Sequence, residues 1–379
     1  MTLILSAALL TGLLAMLLWE RRARDRALAA IPIRIHVNGT RGKSTVTRLI
    51  AGALREAGIR TVAKTTGTAP RLILPDGTER PVRRRAPASI REQLWFLREA
   101  RRRRAEAVVV ECMAVDPDLQ AVCEEQMIRS TVGVVTNARL DHGEAMGSSV
   151  EDVAQALAST VPRAGVLVVG PTDGAGILSR AAEERGTRVV HAGAAPGGTG
   201  ISSPAWEAEN LGVALAVARE LGVPDEVARR GMRHATPDPG ALRAGAFELA
   251  GRRVEYVDAS AANDPQSLGL VLGVRQRGAL FVFHHRADRP ARLGQFGGAA
   301  PWSHRDDALI VTGDRPDWTT WRRLRARLPG GGLSFAPPRR LAAELLGRLE
   351  PAPALSLVVF CGNTKMFRVD AIVAAVERA

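Results

Sequence analysis

The sequence is poor in cysteine, lysine and aromatic residues. Three cysteines in 379 residues cannot form a disulfide framework, so they indicate reduced thiols in a cytosolic compartment. The single tyrosine, Tyr256, argues against a membrane tyrosine kinase, which carries clustered tyrosines. Zinc-ligand spacings, RNA-binding signatures and interleaved aromatic residues are also lacking, which places nucleic acid low among the candidate ligands.

Almost all of the positive charge is carried by arginine. The only lysines are Lys43, Lys64 and Lys365, yet the net charge is +13 and the pI is about 11.1. This bias reflects either genome composition or an anionic partner such as ATP, an acidic substrate or a membrane surface. The length and a hydrophobic content of 46% predict two folded domains with full cores.

Residues 2–19 form an apolar run without a charged residue. As a helix, this run spans ~27 Å, which is enough for the hydrocarbon core of a bilayer. An arginine-rich segment, residues 20–26, follows the run, whereas a signal peptide carries its charges first. The positive-inside rule predicts a single-pass cell-membrane anchor with the N-terminus outside and the catalytic part cytoplasmic. A short linker to Ile31 would then hold the rest of the chain close to the membrane. The alternative is a soluble protein with a buried N-terminal helix.

The stretch HVNGTRGKST, residues 36–45, lies between a strand-like segment and a segment with apolar residues at helical spacing. This is the context of a phosphate-binding loop, in which backbone N–H groups and the helix dipole face an anion. Lys43 can reach the β and γ phosphates, and the Ser44 hydroxyl can hold Mg²⁺. Val37 stands where the longer loop motif has its first glycine, so the chain has the shorter form from Gly39 to Ser44. The alternative is a surface turn that happens to carry a lysine.

Two further segments place metal-binding side chains directly after predicted core strands. Glu111 ends a valine-rich strand, where a carboxylate is positioned to coordinate the Mg²⁺ of bound ATP. Asp141 and His142 follow the strand predicted at residues 132–135, and in open α/β sheets ligands bind at these strand ends. We therefore predict His142 as a second metal ligand, with a structural histidine as the alternative.

The segment after the loop helix carries candidate substrate contacts. Residues 64–68 form a polar stretch that either borders a carboxylate or phosphate or is a plain loop. Residues 83–85, all arginine, form either an anion site or a solvated charge run. Ser89 and Glu92 predict a capping box at the start of the next helix.

Strand and helix patterns alternate along the rest of the chain, which predicts an α/β fold with a mostly parallel sheet. A Pro- and Gly-rich stretch, ATPDPGALRAGAF, interrupts this alternation. We predict a transmembrane anchor with a basic flank over residues 1–26, a P-loop ATP-binding domain over residues 27–235, and a smaller Rossmann-like α/β domain over residues 236–379.

Five stretches together resemble the ligase subunits of poly-γ-glutamate synthases, the PgsB/CapB family, which is a membrane-attached branch of the Mur ligase superfamily. The stretches are GTRGKS, KTTGTAPR, VVVECMAV, TNARLDHGEAMG and CGNTKMFR. The first is common to the superfamily, whereas ECMAV and LDHGEAMG are far more specific. The resemblance covers almost the whole chain and implies an ATP-dependent acid–amino-acid ligase that forms a carbon–nitrogen bond and produces ADP.

The resemblance implies roles for individual positions. The residues that match the ATP loop are Gly39, Thr40, Arg41, Gly42, Lys43, Ser44 and Thr45. Ser44, Glu111 and His142 are the implied magnesium ligands, and Asn210 is the implied contact of the adenine side of ATP. In the C-terminal part, Arg243 is implied to reach the phosphates and Asp258 to contact the nucleotide. The implied catalytic residues are Lys43, Arg243 and His142.

The implied reaction builds poly-γ-glutamate. ATP converts the γ-carboxylate of the growing chain into an acyl phosphate, which the amine of the incoming glutamate attacks. The candidate contacts of this anionic substrate are Lys64, Thr66, Arg71 and Arg83. The implied partners are the membrane, a small multi-pass membrane subunit of the synthase (PgsC/CapC-like) and, as a further candidate, an export subunit.

Two features depart from the Mur ligase pattern. Those ligases carry a carbamylated lysine beyond the Asp-His motif, but no lysine stands in residues 65–364, so the number of metals is left open. The domain that holds a nucleotide-sugar substrate is replaced by the anchor, which argues against a UDP-linked substrate.

Three alternative functions stay open at this point. The first is an amide ligase with a different amino-acid substrate. The second is a membrane-attached P-loop ATPase or kinase that regulates capsule export. The third is a non-catalytic ATP-binding scaffold, which the presence of Lys43, Glu111 and His142 together disfavours.

Overall fold

The computed structural model describes residues 2–67, 70–84, 87–140, 143–196, 205–238, 243–260, 265–272, 277–299, 304–328, 332–362 and 368–378. The chain divides into two compact units. Residues 1–203 and 207–238 form unit 1, and residues 204–206 and 239–379 form unit 2. Each unit contains its own sheet.

Unit 1 alternates helices and strands around an eight-stranded sheet. Its strands are β1 (Ile33–Asn38), β2 (Thr61–Lys64), β3 (Arg71–Ile73), β4 (Glu79–Pro81), β5 (Ala107–Glu111), β6 (Val132–Val135), β7 (Val166–Val169) and β8 (Arg188–His191). Its helices are α1 (Thr2–Ala29), α2 (Lys43–Glu56), α3 (Glu92–Arg102), α4 (Pro117–Val122), α5 (Gly143–Met146), α6 (Val150–Ala158), α7 (Ala175–Glu184), α8 (Ala205–Glu220) and α9 (Asp225–Arg233). A π-helical turn, Cys123–Ile128, continues α4.

The strand order is β4-β3-β2-β5-β1-β6-β7-β8. The strands from β2 to β8 in this order are parallel, and the hairpin β3–β4 is added antiparallel at one edge. Val37 of β1 lies opposite Glu111 of β5, and Asn38 lies opposite Val135 of β6. This register brings the carboxyl ends of the three central strands to one edge, where ligands bind in open parallel sheets.

Both faces of the central strands are buried, which explains why β5 and β6 are rich in valine. On one face, Ile35 and Val37 of β1 pack in a core to which α2 and α8 contribute. On the other face, Val108 and Val110 of β5 pack in a core with residues of α1 and α3. The sheet therefore holds its strand ends rigidly between two helical layers.

Unit 2 has a six-stranded sheet in the order β13-β12-β11-β14-β10-β9. The strands are β9 (Arg243–Leu249), β10 (Arg252–Asp258), β11 (Leu280–His285), β12 (Ala308–Gly313), β13 (Leu333–Phe335) and β14 (Leu357–Cys361), and the helices are α10 (Pro265–Leu272), α11 (Pro290–Ala299), α12 (Trp318–Arg327), α13 (Leu341–Leu349) and α14 (Val369–Glu377). Among the described strands of unit 2, only β9 pairs antiparallel, in a hairpin with β10. The predicted Rossmann-like α/β architecture is confirmed.

Helix α1 contains the apolar run of the predicted anchor and most of the short segment that follows it. It continues without interruption to Ala29, and Ala27 and Leu28 are buried in the core that contains Phe96. The short segment before Ile31 is therefore helical as far as Ala29, because arginine and alanine are good helix formers and two residues of this segment pack inside unit 1. In the described chain, residues Ile4–Ala29 form one helix that is long and apolar enough to cross a membrane.

The predicted capping box at α3 is also wrong. The helix begins at Glu92 with Arg91 as its N-cap residue, and Ser89 precedes it by a turn. The Glu92 carboxylate instead lies 3.3 Å from Lys64 Nζ and 2.6 Å from Arg84 Nε. Two cations attract this carboxylate more strongly than a backbone N–H does.

Helices α2 and α9 approach each other through two glycines. A Cβ at Gly52 would lie 2.5 Å from the Gly231 carbonyl oxygen, and a Cβ at Gly231 would lie 2.3 Å from the Gly52 carbonyl oxygen. We expect Gly52→Ala or Gly231→Ala to lower the free energy of unfolding by roughly 1–3 kcal/mol, because the overpacking outweighs the helix propensity of alanine.

Gly176→Ala in α7 is the matched control, because no atom lies within 4 Å of the added Cβ. This control should raise the free energy of unfolding by roughly 0.5–1 kcal/mol. Urea unfolding of the detergent-solubilised protein measures all three variants. Equal stability of the three would show that α2 and α9 do not depend on this close approach.

Candidate active site

The loop between β1 and α2 requires glycine at two positions. Gly39 has a φ of 126°, and a Cβ there would lie 2.1 Å from Thr136 Oγ1. Gly42 has a φ of 80° at the N-cap of α2, and a Cβ there would lie 2.2 Å from Asn210 Oδ1. Both the backbone conformation and the close approach of neighbouring side chains therefore exclude other residues.

The loop is held by the end of β6. Thr40 Oγ1 donates to Asn137 Oδ1 at 2.8 Å, and the Arg41 N–H donates to the same oxygen at 3.1 Å. Thr136 Oγ1 donates to the Arg41 carbonyl at 2.5 Å. Thr136 and Asn137 thus fix the shape of the loop, and the sequence carries no local signal of this role because the two segments are nearly one hundred residues apart.

Lys43 begins α2 and folds back over the loop. Its Nζ donates to the Gly39 carbonyl at 2.6 Å and lies 3.4 Å from the Thr40 carbonyl. The first N–H groups of a helix lack partners within the helix, and the helix dipole adds positive potential there. The ammonium group, these N–H groups and the loop backbone together form an anion site of the kind that binds phosphate. Thr45 lies in the first turn of α2 and is partly buried.

Glu111 links three segments of the site. Its Oε2 accepts hydrogen bonds from Ser44 Oγ and from the Thr66 N–H, each at 2.7 Å, while Gln93 Nε2 donates to its carbonyl at 3.2 Å. Only 3% of Glu111 is exposed. A carboxylate so far buried is stabilised by hydrogen bonds of this kind, because an unpaired buried charge is strongly unfavourable.

Ser44 and Glu111 fit a magnesium ion. Their hydroxyl and carboxylate oxygens are the hard donors that Mg²⁺ prefers, and this ion is usually held by one or two carboxylates together with water and phosphate oxygens. Within the described ranges, no three His, Cys, Asp or Glu side chains gather into a larger metal site. The predicted ligand His142, with Asp141, lies outside the described residues.

The predicted substrate contacts occupy different environments. Lys64 is completely buried, and burial lowers the pKa of its ammonium group while Glu92 opposes this shift. The Thr66 N–H donates a hydrogen bond to the Glu111 carboxylate.

The two predicted arginine contacts are more accessible than Lys64. Arg71 is half-buried at the start of β3, and its backbone pairs with Thr65. Arg83 is exposed. The contact of these four residues with a substrate stays a prediction, and the Lys64 side chain is enclosed within unit 1 in this structure.

The other predicted nucleotide contacts divide between the two units. In unit 1, Asn210 is 4% exposed and lies against Gly42, so its amide borders the loop.

In unit 2, Arg243 of β9 lies opposite Asp258 of β10 in the antiparallel register. Asp258 Oδ1 accepts from the Ser260 N–H and hydroxyl, and Arg243 lies 3.5 Å from Asp370. The structure thus brings Arg243 and Asp258 together, and their contact with a nucleotide stays a prediction.

A buried ion pair supports the strand that leads into the loop. His36 Nδ1 lies 2.8 Å from Glu124 Oε2, and both side chains are almost fully buried. The other oxygen of Glu124 accepts from the Ser130 N–H and hydroxyl. Burial opposes a charged imidazole, but the neighbouring Cys112 and Glu124 side chains outweigh it and raise the pKa of His36 to about 10.

The fold and the glycine-rich loop after β1 identify the structural class of the protein. Residues 37–211 match the family model described as the Mur ligase middle domain. Among solved structures, E. coli FolC in complex with ADP superposes with a TM-score of 0.62 at 17% identity, over 94% of this chain and 90% of that one. MurF from Acinetobacter baumannii superposes with a TM-score of 0.67 at 14% identity, over 95% and 79%. The chain therefore has the fold of a Mur ligase.

Sequence relatives identify the family to which the chain belongs within this structural class. Residues 246–378 match the model described as the poly-gamma-glutamate synthase CapB C-terminal domain. The chain is 39% identical to the capsule biosynthesis protein CapB of Bacillus anthracis, over 74% of this chain and 62% of that protein. It is 35% identical to the PGA synthase CapB of Bacillus subtilis strain 168, over 77% of each chain. The chain belongs to the CapB family of poly-γ-glutamate synthases, as the resemblance predicted.

The His36–Glu124 pair predicts a pH-dependent stability. The folded-state pKa of His36, about 10, lies above the ordinary value of 6.5 for a histidine side chain. Its stabilisation is therefore complete below pH ~6.5 and is lost as the pH rises towards 10. We expect Glu124→Gln to lower the free energy of unfolding by roughly 3–5 kcal/mol at pH 6, and by clearly less at pH 10.

Glu125→Gln is the matched control for this experiment. The neighbouring Glu125 is partly exposed and pairs with Arg163 and Arg185 at the surface, so its loss should change stability by less than about 1 kcal/mol. Urea unfolding at pH 6, 8 and 10 measures both variants. An effect of Glu124→Gln that is the same at every pH would contradict a charged His36.

Proposed function

We propose that this protein is an ATP-dependent amide ligase that builds poly-γ-glutamate at the cytoplasmic face of the membrane. The observation that carries the proposal is the junction of Lys43, Ser44 and Glu111 in a chain of the CapB family. The ammonium group of Lys43, which is the proposed phosphate contact, and the Ser44 and Glu111 oxygens, which are the proposed metal ligands, support this reaction. A relative that carries the name PGA synthase supports glutamate as the substrate.

The chemistry begins with activation of a carboxylate. An amine does not displace oxide from a carboxylate, because oxide is a poor leaving group. The γ-phosphoryl group of ATP passes to the γ-carboxylate at the chain end, and ADP leaves. The amine of glutamate then attacks the acyl carbon, the C–N bond forms as the C–O bond to phosphate breaks, and the nitrogen releases a proton. The products are the lengthened amide, ADP and phosphate.

Lys43 is the proposed catalytic residue for the first step. The ammonium group already contacts carbonyls of the loop, and phosphate oxygens between loop and helix would be within its reach. Negative charge that develops on the transferring phosphoryl group is stabilised by such a fixed cation, which needs no reorganisation during the reaction. The N–H groups of the loop from Gly39 to Ser44 provide the remaining contacts of the phosphates.

Ser44 and Glu111 are the proposed ligands of Mg²⁺, which when bound would neutralise charge on the phosphate oxygens. The hydrogen bond between Ser44 and Glu111 holds these two donors 2.7 Å apart, and Thr66 fixes the same carboxylate oxygen. His142 as a second metal ligand, Asn210 at the adenine, and Arg243 and Asp258 at the nucleotide are proposed from the family resemblance.

A polyanionic product suits the arginine-rich surface of unit 1. Arg83, Arg84, Arg91 and Trp95 line an open cavity of about 600 Å³, and Arg71 Nε is buried without a hydrogen-bond partner in the part of the chain that the structure describes. Guanidinium groups bind carboxylates in pairs of hydrogen bonds. We infer that Arg71 and Arg83 contact the glutamate chain, while helix α1 attaches the enzyme to the membrane beside a small multi-pass subunit and an export subunit.

Lys43→Ala should abolish polymer formation. We expect membranes that contain the protein and its multi-pass partner to incorporate labelled glutamate into acid-precipitable polymer when ATP and Mg²⁺ are supplied. Loss of the ammonium group should reduce this incorporation by roughly 100-fold or more. Arg102→Ala, which removes an exposed cation at the end of α3, is the control and should leave incorporation unchanged. Polymer formation by the Lys43 variant at the wild-type rate would disprove the assignment.

A measurement of ADP release distinguishes the ligase from the alternative function, a regulatory ATPase or kinase. A ligase couples phosphoryl transfer to its acceptor, so ADP release should increase when glutamate and a poly-γ-glutamate primer are added. Release that depends on Lys43 but is indifferent to glutamate would favour the regulatory ATPase. Release stimulated by another amino acid and not by glutamate would favour a ligase of different specificity.

A further inference from the structure

Helix α1 is joined to the core of unit 1 by its last turn. Its last turn is part of the core, where Ala27 is 1% and Leu28 is 6% exposed, and the chain enters β1 within a few residues. The apolar run ends at Trp19, which is 62% exposed. If the run spans the bilayer, as proposed above, the turns of α1 that follow Trp19 lie at the level of the lipid headgroups.

A cavity of about 440 Å³ opens beside these turns, between α1, α3 and the π-helical turn. The guanidinium groups on its wall belong to Arg21, Arg24, Arg98 and Arg129. Leu17 and Leu94 add apolar surface to the same wall. The volume is within the range of small-molecule sites, and the wall combines cations with apolar side chains at the predicted bilayer boundary.

The positive charge of this cavity is only partly compensated. Arg98 lies 3.4 Å from Glu20, and Arg24 and Arg129 share Asp25 at 3.4 and 3.5 Å. Four arginines therefore face two carboxylates at long ion-pair distances. Among the residues that the structure describes, Arg21 has neither an ion-pair nor a hydrogen-bond partner. A divalent or monovalent anion would complete the charge balance of the site.

We propose that this cavity binds the phosphate headgroup of an anionic phospholipid from the cytoplasmic leaflet. Guanidinium groups form paired hydrogen bonds with phosphate oxygens. Leu17 lies one turn of α1 before Arg21, on the side of the bilayer core, where the acyl chain of the lipid would extend. The cavity is formed by both the membrane helix and the body of unit 1, so a bound lipid would fix their orientation to the membrane. The proposal rests on the membrane attachment proposed above.

The test measures lipid retained by the full-length protein extracted in detergent, by native mass spectrometry, after reconstitution with phosphatidylglycerol or phosphatidylcholine. We expect the wild type to retain one phosphatidylglycerol in preference to phosphatidylcholine. Arg21→Ala combined with Arg98→Ala should weaken this retention roughly 30-fold, since each arginine near the membrane surface contributes about one kcal/mol. The matched control combines Arg22→Ala with Arg102→Ala, two exposed arginines of the same helices that do not line the cavity, and should retain the lipid.

Three outcomes would overturn the proposal. Equal weakening in the two double variants would mean general surface charge, equal retention of phosphatidylcholine would exclude headgroup recognition, and displacement by equimolar inorganic phosphate would identify a soluble anion as the ligand. Two further variants guard against misfolding. Arg21→Ala alone removes no described contact and should retain an intermediate amount of lipid. Arg21→Lys combined with Arg98→Lys keeps the charge but loses the paired hydrogen bonds, so it should retain more lipid than the double alanine variant and less than the wild type. The readout needs neither ATP nor glutamate, so its failure and a failure of the ligase assignment are distinguishable.

Discussion

The hydrogen bonds of the Glu111 carboxylate are the interaction on which the site depends. One oxygen accepts from Ser44 after β1 and from Thr66 after β2, while the carboxylate itself ends β5. These strands are neighbours in the order β2-β5-β1, so a single buried charge joins three adjacent strand ends. Their parallel register determines that all three ends meet at one edge, and the two helical layers prevent the strands from moving apart. The proposed metal ligand Glu111 and the proposed phosphate-binding end of α2 are thereby held in place by contacts of the protein itself.

The local part of this arrangement could be predicted from the sequence. A strand, a glycine-rich turn and a helix occupy consecutive residues, so the loop from Gly39 to Ser44 and the position of Glu111 at a strand end follow from periodicity. The contacts that hold the loop could not be predicted in this way. Asn137 reaches Thr40 across 97 residues, and His36 reaches Glu124 across 88. Such pairs depend on which strands become neighbours, and a single sequence contains no signal for that choice.

The wrong prediction at α3 has a physical cause that also acts in α1. The capping box at Ser89 was inferred from local residue types, and tertiary contacts determine the structure instead. Glu92 lies near two cations, Lys64 and Arg84, and this attraction exceeds the value of a helix cap. The charged segment after Trp19 stays helical because Ala27 and Leu28 gain burial in the core. Local preference is a small free energy, and packing or ion pairing exceeds it wherever a partner is present.

Arginine carries almost all of the positive charge of the chain. The two described lysines, Lys43 and Lys64, occupy positions where a guanidinium group would not fit. Lys43 Nζ fits between the carbonyls of its own loop, 2.6 Å from the Gly39 oxygen, and the broad planar guanidinium group would occupy the space that is proposed for phosphate. Lys64 is fully enclosed beside Glu92. A guanidinium group there would bury five donors that require partners, whereas a compact ammonium group requires at most three. The shape and hydrogen-bonding capacity of the cation, and not its charge alone, therefore determine the residue at both positions.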